Sequence, residues 1–155
     1  MAKSKTPKVL EDLASEIDEG FIEDTFEVGK HFYTMRLLTD GETNWKNRFI
    51  DAMSSALSML SQRKAPTLAI AIRKIDHVSV EEIFKPEKPA DDAEESDKKA
   101  YDEWNKLSKV ERQFRIAESL FNYLSERPAE FTTALYNKYS ELEKRREEVI
   151  KNLKN

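Results

Sequence analysis

From Pro128 to Leu153 the chain contains no glycine and no second proline, and this stretch constrains the fold more than any other feature. Proline fits the first turn of a helix, where an amide proton has no intrahelical acceptor to lose. The spacing that follows predicts one helix of some 26 residues, roughly 39 Å long at 1.5 Å per residue. Its apolar side is marked by Phe131, Leu135, Tyr139, Leu142, Val149, Ile150 and Leu153. Leu135, Leu142 and Val149 are seven residues apart, close to a coiled-coil period that Arg145 and Arg146 interrupt. A helix of this length outgrows the core that a 155-residue chain can place beneath it, so its last two turns are expected to project and seek a partner. The expected partner-binding residues are Phe131, Leu135, Tyr139, Leu142, Val149 and Leu153.

The rest of the chain predicts an α+β fold. Thr6-Pro7 opens a short helix to Asp18, with Val9, Leu10, Leu13 and Ile17 on one stripe and Gly20 as its stop. Over Thr25–Leu38 the period changes to two around Gly29-Lys30, which predicts a hairpin whose second strand turns His31, Tyr33, Met35 and Leu37 to the core. Thr39-Asp40-Gly41-Glu42 has capping-box spacing, so a helix starts there and follows Trp45, Phe49, Ala52, Met53, Ala56, Leu57 and Leu60 to about Gln62. Thr67–Ile75 is expected as a strand, Asp76-His77 as a turn, Val78–Val80 as a returning strand and Glu81–Phe84 as a helical turn.

Residues 86–97 hold six acids against one lysine and no apolar side chain larger than alanine, a composition that predicts a flexible linker. Beyond it, Tyr101, Trp104 and Leu107 mark a short helix. Ser108-Lys109-Val110-Glu111 repeats the capping-box spacing at the head of another, which ends near Glu126. Three parts are therefore expected: a unit of short strands, hairpins and a covering helix over 1–84, an acidic linker over 85–98, and a helical hairpin with a long last helix over 99–155.

Chemistry is narrowed by what these residues leave out. With no cysteine and only His31 and His77, thiolate sites are excluded and no histidine pair has helical metal-ligand spacing. Gly20, Gly29 and Gly41 lie too far apart for a phosphate loop. The run Asp91–Asp97 lacks the alternation and central glycine of a calcium loop. Ser54, Ser55, Ser58 and Ser61 sit on an expected helix with no strained elbow to make a nucleophile. The formal net charge of −4 leaves no broad positive field, which argues against nucleic acid. Lys3-Lys5-Lys8, Arg63-Lys64, Arg73-Lys74 and Arg145-Arg146 are the basic clusters, best accounted for as cations at helix ends. Charged residues at 36% argue against a membrane span, and the first residues lack a secretory apolar run. The expectation is a cytosolically made protein with no catalytic site and no cofactor.

Three stretches carry a family resemblance: Arg36-Leu37-Leu38-Thr39-Asp40-Gly41-Glu42; the strand Leu68–Ile72 leading to Ile75-Asp76; and Arg127-Pro128-Ala129-Glu130-Phe131 with Leu135, Tyr136, Tyr139 and Leu142. Over about 26–84 and 110–146 the chain resembles small tail- and baseplate-assembly proteins of long-tailed bacteriophages. The resemblance implies a chaperone-like assembly factor that binds a tail, baseplate hub or tape-measure protein, working in the host cytoplasm during assembly; a homo-oligomer is a further expected partner state. A permanent subunit of the virion is the alternative, and a nucleic-acid-associated regulator, suggested by Arg63-Lys64 and Arg73-Lys74, is a more distant one.

Overall fold

The computed structural model describes residues 22–52 and 64–154 of the chain. The helix expected over Pro7–Asp18 with its Gly20 stop, the part of the next helix between Met53 and Gln62 with its four serines, and the basic residues Lys3, Lys5, Lys8 and Arg63 lie outside the described residues.

The elements run β1 (Glu23–Val28), β2 (His31–Arg36), α1 (Asp40–Ala52), α2 (Lys64–Ala71), β3 (Ile72–Ile75), β4 (Val78–Ser79), α3 (Val80–Phe84), α4 (Glu95–Lys106), α5 (Lys109–Ser125) and α6 (Ala129–Lys154). The four strands form one antiparallel sheet in the order β1-β2-β3-β4, so the fold is α+β as expected.

The first hairpin follows its sequence pattern. Gly29 turns it at φ +65°, a conformation that side chains with a Cβ avoid. The pairing sets Val28 against His31 and Glu23 against Arg36. Tyr33, Met35 and Leu37 are buried as the alternation requires, while His31, at the start of the strand, is exposed. On the opposite face the Thr25 and Thr34 hydroxyls hydrogen-bond at 2.8 Å. At the second hairpin Asp76 and His77 both take positive φ, 51° and 68°, which matches the right-handed twist of a two-residue hairpin loop.

The segment Thr67–Ile75, expected as one strand, is divided. Thr67–Ala71 belong to α2 and only Ile72–Ile75 form β3. The alternation of large residues with Ala69 and Ala71 carried no facing signal, because Leu68, Ala69, Ile70, Ala71 and Ile72 are all buried. A run buried on every side has no period, and leucine and alanine then favour the helix. Pro66 falls in the first helical turn, where it costs no hydrogen bond.

The linker also differs from its expectation. Residues 85–94 are without helix or strand, but α4 begins at Glu95, inside the segment expected to be flexible. Glu95 and Asp97 occupy its first turn, where negative charge meets the positive end of the helix dipole. Lys98 Nζ donates to the Asp91 carbonyl at 2.9 Å and ties the helix back to the preceding turn.

One core serves both halves. Tyr33, Met35, Phe49, Leu68 and Ile72 join Leu120, Leu124, Leu135 and Leu142 in a single cluster, so the units expected over 1–84 and 99–155 are not packed separately. The helices on the sheet are α6, which lies along β1 and β2, and α2. Of the helix expected over residues 40–62, the described part, α1, turns Trp45 and Phe49 toward Phe114 and Phe121 of α5. Arg145 Nη2 donates to Asp24 Oδ2 at 2.6 Å and fastens α6 to β1.

The stripe on α6 is therefore corrected as a partner surface. Leu135 and Leu142 are fully buried, Tyr139 and Val149 nearly so, and Phe131 packs edge-on to Tyr33 at 5.9 Å. The side chain of Leu153 lies outside the described residues. Periodicity identified the face that must be covered and could not say by what. Here the chain's own sheet and α2 cover most of it.

Candidate functional site

Two clefts and one hairpin tip gather polar chemistry. At the tip, Asp76 Oδ1 accepts the Phe32 amide proton at 2.9 Å and its Oδ2 lies 2.6 Å from His31 Nδ1. The Phe32 amide first, and then the His31 contact, hold the Asp76 carboxyl below its ordinary pKa. His77 stacks on Phe32 with ring centroids 5.6 Å apart. These contacts account for both histidines as parts of the turn, and among the described residues no group of three or more histidine, aspartate or glutamate side chains is placed to hold a metal ion.

The larger cleft, about 660 Å³, opens beside the start of α1 and is walled by Trp45, Ile70 and Ile116. Its centre is Glu42. The capping box forms as its spacing predicts: Glu42 Oε1 accepts the Thr39 amide at 3.1 Å and Thr39 Oγ1 accepts the Glu42 amide at 3.2 Å. The other oxygen, Oε2, accepts from Arg36 Nη2 at 3.0 Å and from Arg73 Nη2. Burial works to raise the Glu42 pKa, but the Thr39 amide and the two guanidinium charges outweigh it and hold the group below its ordinary value. Arg73 reaches Glu42 because the strand pairing skips it: Thr34 faces Lys74 and Met35 faces Ile72. A bulge of this kind redirects one side chain without ending the strand. Glu42 thus bridges β2, β3 and α1, with one carboxylate oxygen shared between two guanidinium groups.

Of the basic residues Arg63, Lys64, Arg73 and Lys74, the first lies outside the described residues and Lys74 is exposed on β3. Lys64 begins α2 and its ammonium lies 5.8 Å from the Tyr136 ring centroid, whereas Arg73 is committed to Glu42. Lys64 and Arg73 are thus each engaged within the fold.

The smaller cleft, about 250 Å³, lies where α3, α4 and α5 meet and is lined by Phe84, Pro86, Trp104, Leu107, Glu118 and Ser119 among others. Its outer wall is unusual. α4 has twelve residues and none of them is buried, although Tyr101 and Trp104 lie on it and Leu107 follows it. One side chain fixes its end: Arg112 Nε donates to the Trp104 carbonyl and Nη2 to the Asn105 carbonyl, both at 3.2 Å. The same guanidinium lies 5.7 Å from the Trp104 ring centroid. Arg112 thereby satisfies two of the carbonyls that a helix C-terminus leaves without partners. No spacing rule points to this arginine, because the contact depends on the break at Leu107-Ser108 that folds α4 back onto α5. The break itself is legible. Ser108 caps α5 by accepting the Glu111 amide at 3.2 Å.

Tyrosines complete the interior. Tyr33 and Tyr123 share a hydroxyl contact of 2.8 Å, and Arg127 stacks on Tyr123 with its guanidinium carbon 3.3 Å from the ring centroid. Burial, and next the Tyr123 contact, push the Tyr33 pKa upward. Burial likewise pushes Tyr139 up to about 12. Both therefore remain neutral phenols under ordinary conditions, and the Tyr139 hydroxyl accepts the Leu38 amide at 3.4 Å.

No protein-family model matches the chain, and no curated protein or solved structure is similar to it. Among the described residues no helix is long and apolar enough to cross a membrane.

Proposed function

We propose that the protein is a non-enzymatic assembly factor of a phage tail or baseplate, and that it docks a tail, hub or tape-measure component through the surface where α3, α4 and α5 meet. One observation carries this reading: α4 holds Trp104 over a cleft, yet none of its twelve residues is fully buried, and Tyr101 and Trp104 are only half-buried. A helix that contributes so little to its own core is suited to packing against another molecule. Ile83 on α3 and Val110 on α5 add exposed apolar area on the elements that form the cleft, 42% and 59% accessible respectively. The resemblance to tail- and baseplate-assembly proteins supplies the setting, through the capped helix, the acidic spacer and the proline-headed last helix. Its strand over Leu68–Ile72 does not contribute, since that segment is largely helical.

The test is co-expression of the tagged full chain with tube, hub and tape-measure proteins, followed by affinity capture. A stable complex with one of them, lost on Trp104→Ala and kept on an exposed substitution elsewhere such as Lys144→Ala, is the expected result. Capture of none removes the assembly role. Mass spectrometry of purified particles separates a factor that leaves from a subunit that stays.

A further inference from the structure

We infer that the partner segment received at the α3–α4–α5 surface is basic and carries an apolar anchor, with the anchor seated in the cleft between Phe84, Trp104 and Leu107 and its cations set against the acidic flank. This inference rests on the docking role proposed above and adds the chemistry of the partner to it.

The cleft itself supplies the first half of the argument. Phe84, Pro86, Trp104 and Leu107 give it apolar walls, and its volume of about 250 Å³ accommodates a large side chain. Aromatic walls of this kind are where binding energy concentrates when a partner's anchor excludes water from them.

Charge supplies the second half. Three charged side chains line the cleft, Glu103, Arg115 and Glu118. Glu103 pairs loosely with Lys99, at 4.0 Å. Glu118 is half-buried and has no cation within ion-pair distance among the described residues. From Pro86 to Glu103 the flank holds eight acids against three lysines, and each of these eight carboxylate residues is exposed. Arg115 is the single opposing cation on the wall. The acid excess of this flank favours lysine or arginine on the part of the segment that lies along residues 86–103, where an acidic segment of equal apolarity would meet like charge, Glu103 at the cleft included. Complementarity of this kind governs partner choice and encounter rate more than final tightness.

The inference is tested on the full chain in a Trp45→Phe background, so that Trp104 is the reporting tryptophan. Three synthetic peptides serve as probes: one with lysines and leucines at helical spacing, the same peptide with glutamate for lysine, and the same with serine for leucine. The first is expected to shift Trp104 emission saturably and to weaken roughly tenfold when salt rises from about 50 to about 300 mM, because exposed charge pairs are screened over that range. The other two are expected not to saturate. Glu118→Gln, which leaves every apolar contact in place, should weaken the first peptide several-fold. Equal binding of the acidic peptide, equal binding of the serine peptide, or no effect of Glu118→Gln would each overturn the inference. If the basic peptide fails while a tail component is still captured in a Trp104-dependent way, the partner chemistry is wrong and the docking role stands. If the peptide binds as expected and no tail component is captured, the site stands and the assembly role falls.

Discussion

Leu142→Ala tests whether the sheet and the C-terminal helices form one cooperative structure. Leu142 sits on α6 with no accessible surface and belongs to the cluster that also holds Tyr33, Phe49 and Leu68. Truncating a fully buried leucine removes its transfer energy and leaves a cavity, together about 2–5 kcal/mol. Domains of ordinary stability have only about 5–15 kcal/mol to lose. For a chain of this size each kcal/mol corresponds to roughly 2–4 °C, so a mid-range loss of about 3 kcal/mol lowers Tm by roughly 6–12 °C. Trp45 offers a probe on the far side of the core, because it stacks on Phe49 at 5.8 Å and meets Phe114 of α5 at 5.9 Å. In a Trp104→Phe background, Trp45 emission should fall at the same temperature as the helical circular dichroism, in the parent and in Leu142→Ala alike. Leu142→Asp, which buries an unpaired charge, should prevent folding of the whole chain. Loss of helix in Leu142→Ala at a temperature where Trp45 still reports a native environment would refute the shared core and restore a separable helical arm.

Three further perturbations address the polar contacts. Glu42→Gln keeps an acceptor for the Thr39 amide but removes the charge between Arg36 and Arg73; the cost is expected to be about 1–3 kcal/mol, read by chemical denaturation, with the value set by how much of the pair is desolvated. Because the Glu42 pKa is held below its ordinary value in the folded chain, its contribution is complete above the unfolded pKa and is lost as pH falls through the folded one, so the parent should lose stability on acidification more steeply than the Gln variant. Tyr139 shows the opposite sign: a phenol raised to about 12 stabilises the fold below its unfolded value near 10, and that contribution shrinks as pH rises beyond it. Tm should therefore decline from about pH 10 upward, and the decline should be shallower in Tyr139→Phe; a flat profile in the parent contradicts the burial of this group. Arg112→Ala removes two carbonyl contacts and the stacking on Trp104, worth about 1–2 kcal/mol together, and should speed amide exchange in α4 by roughly 5- to 30-fold while α5 and α6 change little. Equal acceleration in all three helices would mean that α4 opens only with the rest.

What the sequence disclosed and what it withheld divide along physical lines. Local signals were legible where the chain settles its own backbone: Thr39 and Ser108 cap the helices they precede, Gly29 turns the first hairpin, and the parity of Tyr33, Met35 and Leu37 names the buried face of β2. Signals failed where burial is complete or where the partner is remote in sequence. Leu68 to Ile72 are buried on every side, so strand and helix leave the same apolar run. Arg73 finds Glu42 only because a bulge in β3 skips its register, and Arg112 finds the end of α4 only because the chain reverses at Ser108. Neither event has a spacing that announces it.

The stripe on α6 is the most instructive case, because its reading as a greasy face was right and its assignment to a partner was not. Amphipathic periodicity states that a face must be covered and is silent about the cover. The deciding quantity is how much complementary apolar surface the chain itself brings to that face. Here β1, β2 and α2 bring enough to close over Leu135, Tyr139 and Leu142. The shorter helix is then the one left under-committed: α4 lies in an acidic context, shows only Tyr101 and Trp104 as large apolar residues, and leaves both half-buried. The long helix is held in the core along the face that carries Leu135, Tyr139 and Leu142, and the short one, with no residue fully buried, remains available to bind something else. On that reasoning, substitutions that abolish docking without lowering Tm should fall around Trp104 and Leu107, and those that lower Tm should fall on α6.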